Sequence, residues 1–99
     1  MCAFALAPAA VTAGGASVKV GDDFFKARTL HVKPGTKVTW RWVGDSEHDV
    51  YFTRAPRRAK PRRCKTQTEG SCSRRIRKRG TYRYVCTLHD SMTGKIVAR

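Results

Sequence analysis

The stretch Tyr82-Arg83-Tyr84-Val85-Cys86-Thr87-Leu88-His89-Asp90-Ser91-Met92-Thr93-Gly94-Lys95-Ile96-Val97 is the most informative part of this 99-residue chain. It holds a thiol, an imidazole and a thioether, Cys86, His89 and Met92, with two residues between each and the next. Tyr82 and Tyr84 share one face of a predicted strand that enters this run, and Ile96 and Val97 belong to a predicted strand that leaves it. The three donors therefore sit on one connecting loop, which Thr93-Gly94 is expected to turn back into the sheet. A second imidazole, His48, lies upstream in Glu47-His48-Asp49-Val50-Tyr51-Phe52. Thiolate and thioether ligands suit Cu(I), imidazole serves both Cu(I) and Cu(II), and two His, one Cys and a weak axial Met make the donor set of a blue-copper site. Met92 alone would more often be core, His48 a strand histidine and Cys86 a buried thiol; their shared spacing is what argues for a metal.

The rest of the chain alternates in short apolar runs. Val18 and Val20 form one, Leu30 and Val32 another, and Lys33-Pro34-Gly35-Thr36 reads as a turn. Val38, Trp40 and Trp42 share a strand face, as do His48, Val50 and Phe52. Ile76 is the only large apolar residue between Ala55 and Arg79, so a long basic loop is expected there, followed by a short strand around Ser73 to Arg77. No stretch keeps a 3.6-residue period, and no internal repeat is present. Several short strands separated by turn signals predict an all-β fold, a Greek-key antiparallel β-sandwich.

The ligand pattern resembles the cupredoxins, with the tight Cys-x-x-His-x-x-Met loop similar to the amicyanin and plastocyanin-like branch. The resemblance spans about Val18 to Val97 and includes Gly80-Thr81-Tyr82 before the loop and Gly94-Lys95-Ile96-Val97 after it. It implies one type 1 copper ion held by His48, Cys86, His89 and Met92, with His89 and Leu88 at the rim of an electron port. It also implies a hydrogen bond between the residue after the first His and the residue after Cys, here Asp49 and Thr87. Asp49 stands where Asn is common in the family, and Leu88 and Asp90 stand where Pro is frequent. A carboxylate in place of that Asn puts a negative charge near the metal.

Composition bounds the remaining possibilities. Ninety-nine residues make one small domain. Lys plus Arg number 21 against 7 Asp plus Glu, a net charge of +14, and thirteen of the basic residues fall between Arg54 and Arg83, where Glu69 is the only acid. Such a field predicts a redox partner that is acidic at its docking face, or an anionic cell-envelope surface. Arg54 to Arg79 contains no aromatic residue, which disfavours nucleic acid because base stacking needs one.

Cys64 and Cys72 flank a short loop, and a disulfide closing it is expected, in an oxidising compartment. A nominal Cys₃His zinc set, Cys64, Cys72, Cys86 and His89, fits poorly because seven residues separate the first two. Residues 1–16 are apolar and Ala-rich, and are expected to be a residual export signal or a disordered tail, with the domain occupying 17–99. A charged leader start is missing, so a longer signal beginning upstream is expected. The apolar run is far short of the ~20 residues of a membrane span. His31, between Leu30 and Val32, is expected to be a surface residue without a role.

The expectation is an exported (periplasmic, extracellular or cell-surface) monomer that carries single electrons and is not an enzyme, since the short chain shows no paired carboxylates, Ser-His arrangement or phosphate loop. Copper trafficking or buffering in the envelope is the alternative.

Overall fold

The computed structural model describes residues 14–99. Nine strands follow one another: β1 (Gly15–Gly21), β2 (Phe24–Lys26), β3 (Thr29–Val32), β4 (Thr36–Trp42), β5 (His48–Arg54), β6 (Cys64–Gln67), β7 (Ser71–Ile76), β8 (Gly80–Val85) and β9 (Thr93–Ala98). They form two sheets, ordered β2-β1-β4-β7 and β3-β9-β8-β5-β6. There is no helix among the described residues. The all-β sandwich expected from the short alternating runs is present. Most pairs are antiparallel, but β1 with β4 and β3 with β9 are parallel. Both parallel pairs join strands separated by crossovers between the sheets, which single-strand patterning does not register.

The alternation is visible strand by strand. In β4, Thr36, Val38, Trp40 and Trp42 are buried while Lys37 and Arg41 face solvent. Trp40 sits at the centre, edge-on to Phe52 and Tyr84 at 5.9 and 5.5 Å, and Phe25 meets Tyr84 at 4.8 Å. Such aromatic pairs add about 0.5–1.5 kcal/mol each beyond the area they bury. Gly94 makes this packing possible, because a Cβ there would clash with the Tyr84 ring and hydroxyl. The expected turn before β4 closes with the Thr36 N–H and hydroxyl both donating to the Lys33 carbonyl, at 3.1 and 2.7 Å. Gly35 supplies the positive φ of 99° that this turn needs.

Two short strands escaped the sequence reading. β2 is three residues, and β6 lies inside the segment expected to be loop. β6 forms by pairing with β5, Cys64 opposite Val50 and Gln67 opposite His48. β7 runs from Ser71 to Ile76, earlier than expected, and pairs with β4. β6 and β7 thus belong to different sheets. The Cys64–Cys72 disulfide, with Cα atoms 6.1 Å apart, joins the two sheets along one edge of the sandwich. Most of the expected leader or tail lies outside the described residues. Its last two residues, Gly15 and Ala16, are already in β1 opposite Lys37 and Val38.

Candidate metal centre

The donors meet because of where strands begin and end. β5 and β8 are neighbours, with Tyr51 opposite Val85. His48 is the first residue of β5 and Cys86 follows the last residue of β8, so both emerge at the same end of one sheet. The 86–92 loop is closed by the Cys86 N–H donating to the Met92 carbonyl at 3.0 Å. Its reversal is made by Ser91, with a φ of 65°, whereas Thr93 and Gly94 are already in β9 opposite Val85 and Tyr84. The turn expected at Thr93-Gly94 therefore lies two residues earlier, because the pairing with β8 claims both residues. His48 is also fixed from behind, its carbonyl accepting the Trp42 indole N–H at 3.0 Å.

The Cys86 sulfur lies 3.8 Å from His48 Nδ1 and 3.6 Å from His89 Nδ1. A metal bonded to sulfur at 2.3 Å and to nitrogen at 2.0 Å in a trigonal plane would hold those atoms about 3.7 Å apart. The three side chains are therefore set at ligand spacing, and they form the group able to hold a metal ion among the described residues. Met92 is buried, at 1% exposure, where the loop rejoins the sheet. His48, Cys86, His89 and Met92 form a typical type 1 copper site. The two imidazoles differ in exposure: the His48 side chain is wholly buried and that of His89 is 29% exposed.

Each ring turns its other nitrogen to a carboxylate from the β1–β2 turn. Asp22 Oδ1 lies 3.0 Å from His48 Nε2, and Asp23 Oδ1 lies 3.4 Å from His89 Nε2. With Nδ1 on a metal, Nε2 of His48 would carry the proton and donate it to Asp22, whereas His89 and Asp23 make a longer polar contact. The His48–Asp22 bond is the arrangement that fixes the tautomer and orientation of a metal-binding His. Asp22 also accepts the backbone N–H of Asp45 and of Ser46, and so ties the β4–β5 turn to the β1–β2 turn. The Asp45 amide, then the His48 ring and the Ser46 amide, hold the Asp22 carboxyl well below the usual carboxylate range. The sequence reading missed both aspartates. The pair Asp22-Asp23 before Phe24 was visible, but nothing in spacing links it to a histidine 26 residues later.

Asp49 is fully buried. Its carboxylate accepts the Thr87 amide and hydroxyl, both at 2.7 Å, and the Arg63 guanidinium at 2.8 Å. Burial pushes this carboxyl up, but the Thr87 bonds, the Cys86 thiol and the Arg63 charge outweigh burial and leave it below its ordinary value. The hydrogen bond expected from Thr87 to Asp49 is thus accompanied by an ion pair between the buried carboxylate and a half-exposed Arg63. Leu88 is half exposed, at 49%, beside His89. The zinc set is excluded for Cys64 and Cys72, whose sulfurs are bonded to each other. His31 is exposed in β3.

Comparison with known proteins agrees with this geometry. Residues 12–99 match the family of copper binding proteins, plastocyanin/azurin family. Amicyanin-alpha of Methylorubrum extorquens is 34% identical over 89 residues, covering 86% of this chain and 72% of that one. A mutant amicyanin in its Cu(I) form superposes with a TM-score of 0.74 at 28% identity, covering 95% of this chain and 86% of the other. A mutant plastocyanin of fern superposes with a TM-score of 0.71 at 26% identity, covering 85% of this chain and all of the other. Sequence match, fold and donor set converge: the chain belongs to the plastocyanin/azurin family of copper-binding proteins, as a small blue-copper electron-transfer protein.

Proposed function

We propose that this protein is an exported, monomeric carrier of single electrons, with His89 as the port through which they pass. The observation that carries the reading is the asymmetry of the two imidazoles. Both aim Nδ1 at the buried Cys86 sulfur, but only His89 reaches solvent, beside exposed Leu88. Bound copper supplies reversible cycling between Cu(I) and Cu(II). The chain's own groups do the rest. Asp22 keeps the Nε2 proton of His48 in place, and Asp49 holds the residue after the thiolate through two hydrogen bonds. Donors fixed in advance in this way leave little to move when the charge on the metal changes.

The +14 charge by itself predicts an acidic partner, but its distribution turns that expectation round at the port. The turns at the copper end, residues 22–23, 43–47, 68–70 and 86–92, contain six of the seven acidic residues and no Lys or Arg. Among the described residues, three of the four exposed large apolar side chains, Phe24, Val43 and Leu88, are also at this end. We read this face as a contact for a redox partner with an apolar centre and a basic rim. An acidic surface would be drawn instead to the flanks and the far end. The Cys64–Cys72 bond supports an oxidising, exported location. Full enclosure of His48 and its bond to Asp22 oppose ready release of copper, which favours carriage over trafficking. The basic segment is read as meeting an anionic envelope surface.

The test is a visible absorption spectrum of residues 14–99 after one equivalent of Cu(II). An intense blue band that bleaches and returns with reductant and oxidant, and is lost in Cys86→Ser, is the expected result. A pale product would overturn the reading. Rapid loss of the band to a mild chelator would favour trafficking.

A further inference from the structure

The geometry points to a second binding site, at the end of the molecule away from copper: a cationic groove that takes a linear phosphate-bearing polymer. This deepens the reading that the basic segment meets an anionic surface, by naming where the polymer binds and what chemistry it presents.

The groove has a volume of about 400 Å³ and is walled by Arg58, Lys60, Arg62, Arg75, Arg77 and Lys78. Tyr82 forms part of its lining, four residues before Cys86. At about 3.3 Å per strand residue, the Tyr82 backbone lies about 13 Å along the strand from Cys86. Its shape is fixed by structure rather than by chance proximity of surface side chains. Arg74 donates to the carbonyls of Arg62, Arg63 and Ser73 at 2.8, 2.8 and 2.7 Å, which straps the 55–63 segment onto β7. The disulfide holds the same two segments together. On the other side, the Tyr82 hydroxyl donates to the Lys78 carbonyl at 2.8 Å and accepts the Lys78 N–H at 3.2 Å. Arg58 and Lys60 hold positive φ values of 68° and 42°, unusual for long side chains, and such strain gathers where a backbone serves a ligand.

Charge makes the groove unsatisfied. The turns at this end, residues 33–35, 55–63 and 77–79, contain nine basic residues and no acid. Among the described residues, Arg63 is the only Lys or Arg paired with a carboxylate, and it reaches toward Asp49 and away from the groove. With Arg74, seven like charges line one concavity and repel one another until an anion enters. Guanidinium groups predominate, and their planar forks match phosphate oxygens two at a time. The concave shape suits a chain more than a flat bilayer. Among the described residues, none of the exposed large apolar side chains lies here to enter a membrane. Tyr82 is the one aromatic residue in the groove lining and is only 2% exposed, so its ring is not open for a base to stack on, which sets a base-free phosphate chain apart from nucleic acid. Binding also orients the molecule: a polyanion attracts this end, repels the carboxylates of the other, and leaves His89 facing outward.

The test uses the copper-loaded chain and linear polyphosphate as probe, with single-stranded DNA and phosphatidylglycerol vesicles as comparators. Arg58→Gln/Arg62→Gln/Arg77→Gln removes three groove charges. Lys19→Gln/Lys26→Gln/Arg28→Gln removes three from the opposite edge of the sandwich. At physiological salt the groove variant should bind polyphosphate at least about tenfold more weakly, and its slope of log affinity against log salt should fall by about two, as expected for three lost contacts. The edge variant should change less than about threefold. Equal losses in both would mean that net charge alone binds, and would overturn the proposal. So would tighter binding of DNA than of polyphosphate. Binding to vesicles without binding to polyphosphate would overturn the groove while leaving the anionic-surface reading intact, and binding to none of the three would remove both. An unchanged blue band in every variant keeps these outcomes separate from the copper site.

Discussion

The two ends of this sandwich are ordered by opposite means. At the copper end, carboxylates accept: Asp22 gathers two backbone amides and a ring N–H, and Asp49 gathers an amide, a hydroxyl and a guanidinium. At the far end, cations donate: Arg74 and Arg75 donate to backbone carbonyls where ion pairs are missing, and the segment is anchored on its return by a disulfide between β6 and β7, opposite Val50 and Trp40. The difference follows from what each end must hold. A metal site needs its histidines fixed in one tautomer, which takes acceptors on the remote ring nitrogens. The 55–63 segment has almost no apolar side chains to bury, so covalent and hydrogen-bonded ties must replace a core. Placing the anions around the donors leaves the far end with cations only.

The largest test of this contrast is to cut the covalent tie. Cys64→Ala/Cys72→Ala opens a loop of about nine residues, for which chain entropy alone gives about 2.5 kcal/mol. For a domain of this size that corresponds to a melting temperature lower by about 10–20 °C. Proteolysis should begin in the 55–63 segment, and the copper band should keep its position. Loss of the band along with the melting temperature would show that the two ends are not separable.

At the other end, Asp22→Asn keeps the shape but halves the acceptor strength facing His48 and the β4–β5 turn. Groups in this position typically contribute 10–100-fold to metal affinity. Copper competition against a chelator should show a loss in that range, with the fold retained by circular dichroism. An unchanged affinity would mean that the Trp42 indole, bonded to the His48 carbonyl, is sufficient to orient the ring.

Much of the site was legible in the sequence because its donors are local. Cys86, His89 and Met92 share one loop, so their spacing carries the geometry. Val38, Trp40 and Trp42 gave a strand face for the same reason, since burial on one side of a strand imposes a period of two. What was not legible depends on pairing across the fold. β6 has the composition of a loop and becomes a strand only because β5 lies beside it. Asp22 and Asp23 reach the histidines from a turn on the other sheet. Arg63, fourteen residues beyond Asp49, neutralises the carboxylate that the sequence reading could place but not pair.

That ion pair sharpens the comparison at a smaller scale. Asp49→Asn removes a buried anion near the thiolate, and the lost charge favours the reduced, less positive metal. One unit charge at roughly 7 Å and an effective dielectric of 20 is on the order of 2 kcal/mol, or about 0.1 V for a one-electron couple. Voltammetry should show the midpoint rising by up to that amount. Arg63→Gln should move it the other way. No movement in either variant would mean that both charges are screened at the metal.

The smallest effect belongs to Tyr82, on the wall of the groove. Tyr82→Phe deletes two hydrogen bonds to the Lys78 backbone, worth about 1 kcal/mol together once water is counted. Burial raises the Tyr82 hydroxyl above its ordinary value, against the opposing pull of the Lys78 N–H. The folded protein therefore keeps this proton at a pH where the unfolded chain has lost it, and stability must fall as pH rises through about 10. Tyr84, pushed up to about 12 mainly by burial, falls in the same direction in both proteins and subtracts out of the comparison. The deficit of Tyr82→Phe should thus be full at neutral pH and narrow above pH 10, since only the parent carries this penalty. Denaturant unfolding at pH 7 and pH 11 measures both ends of that window. A deficit independent of pH would mean that the Tyr82 proton is not linked to folding, and no deficit at either pH would mean that the groove wall rests on Arg74 and the disulfide alone.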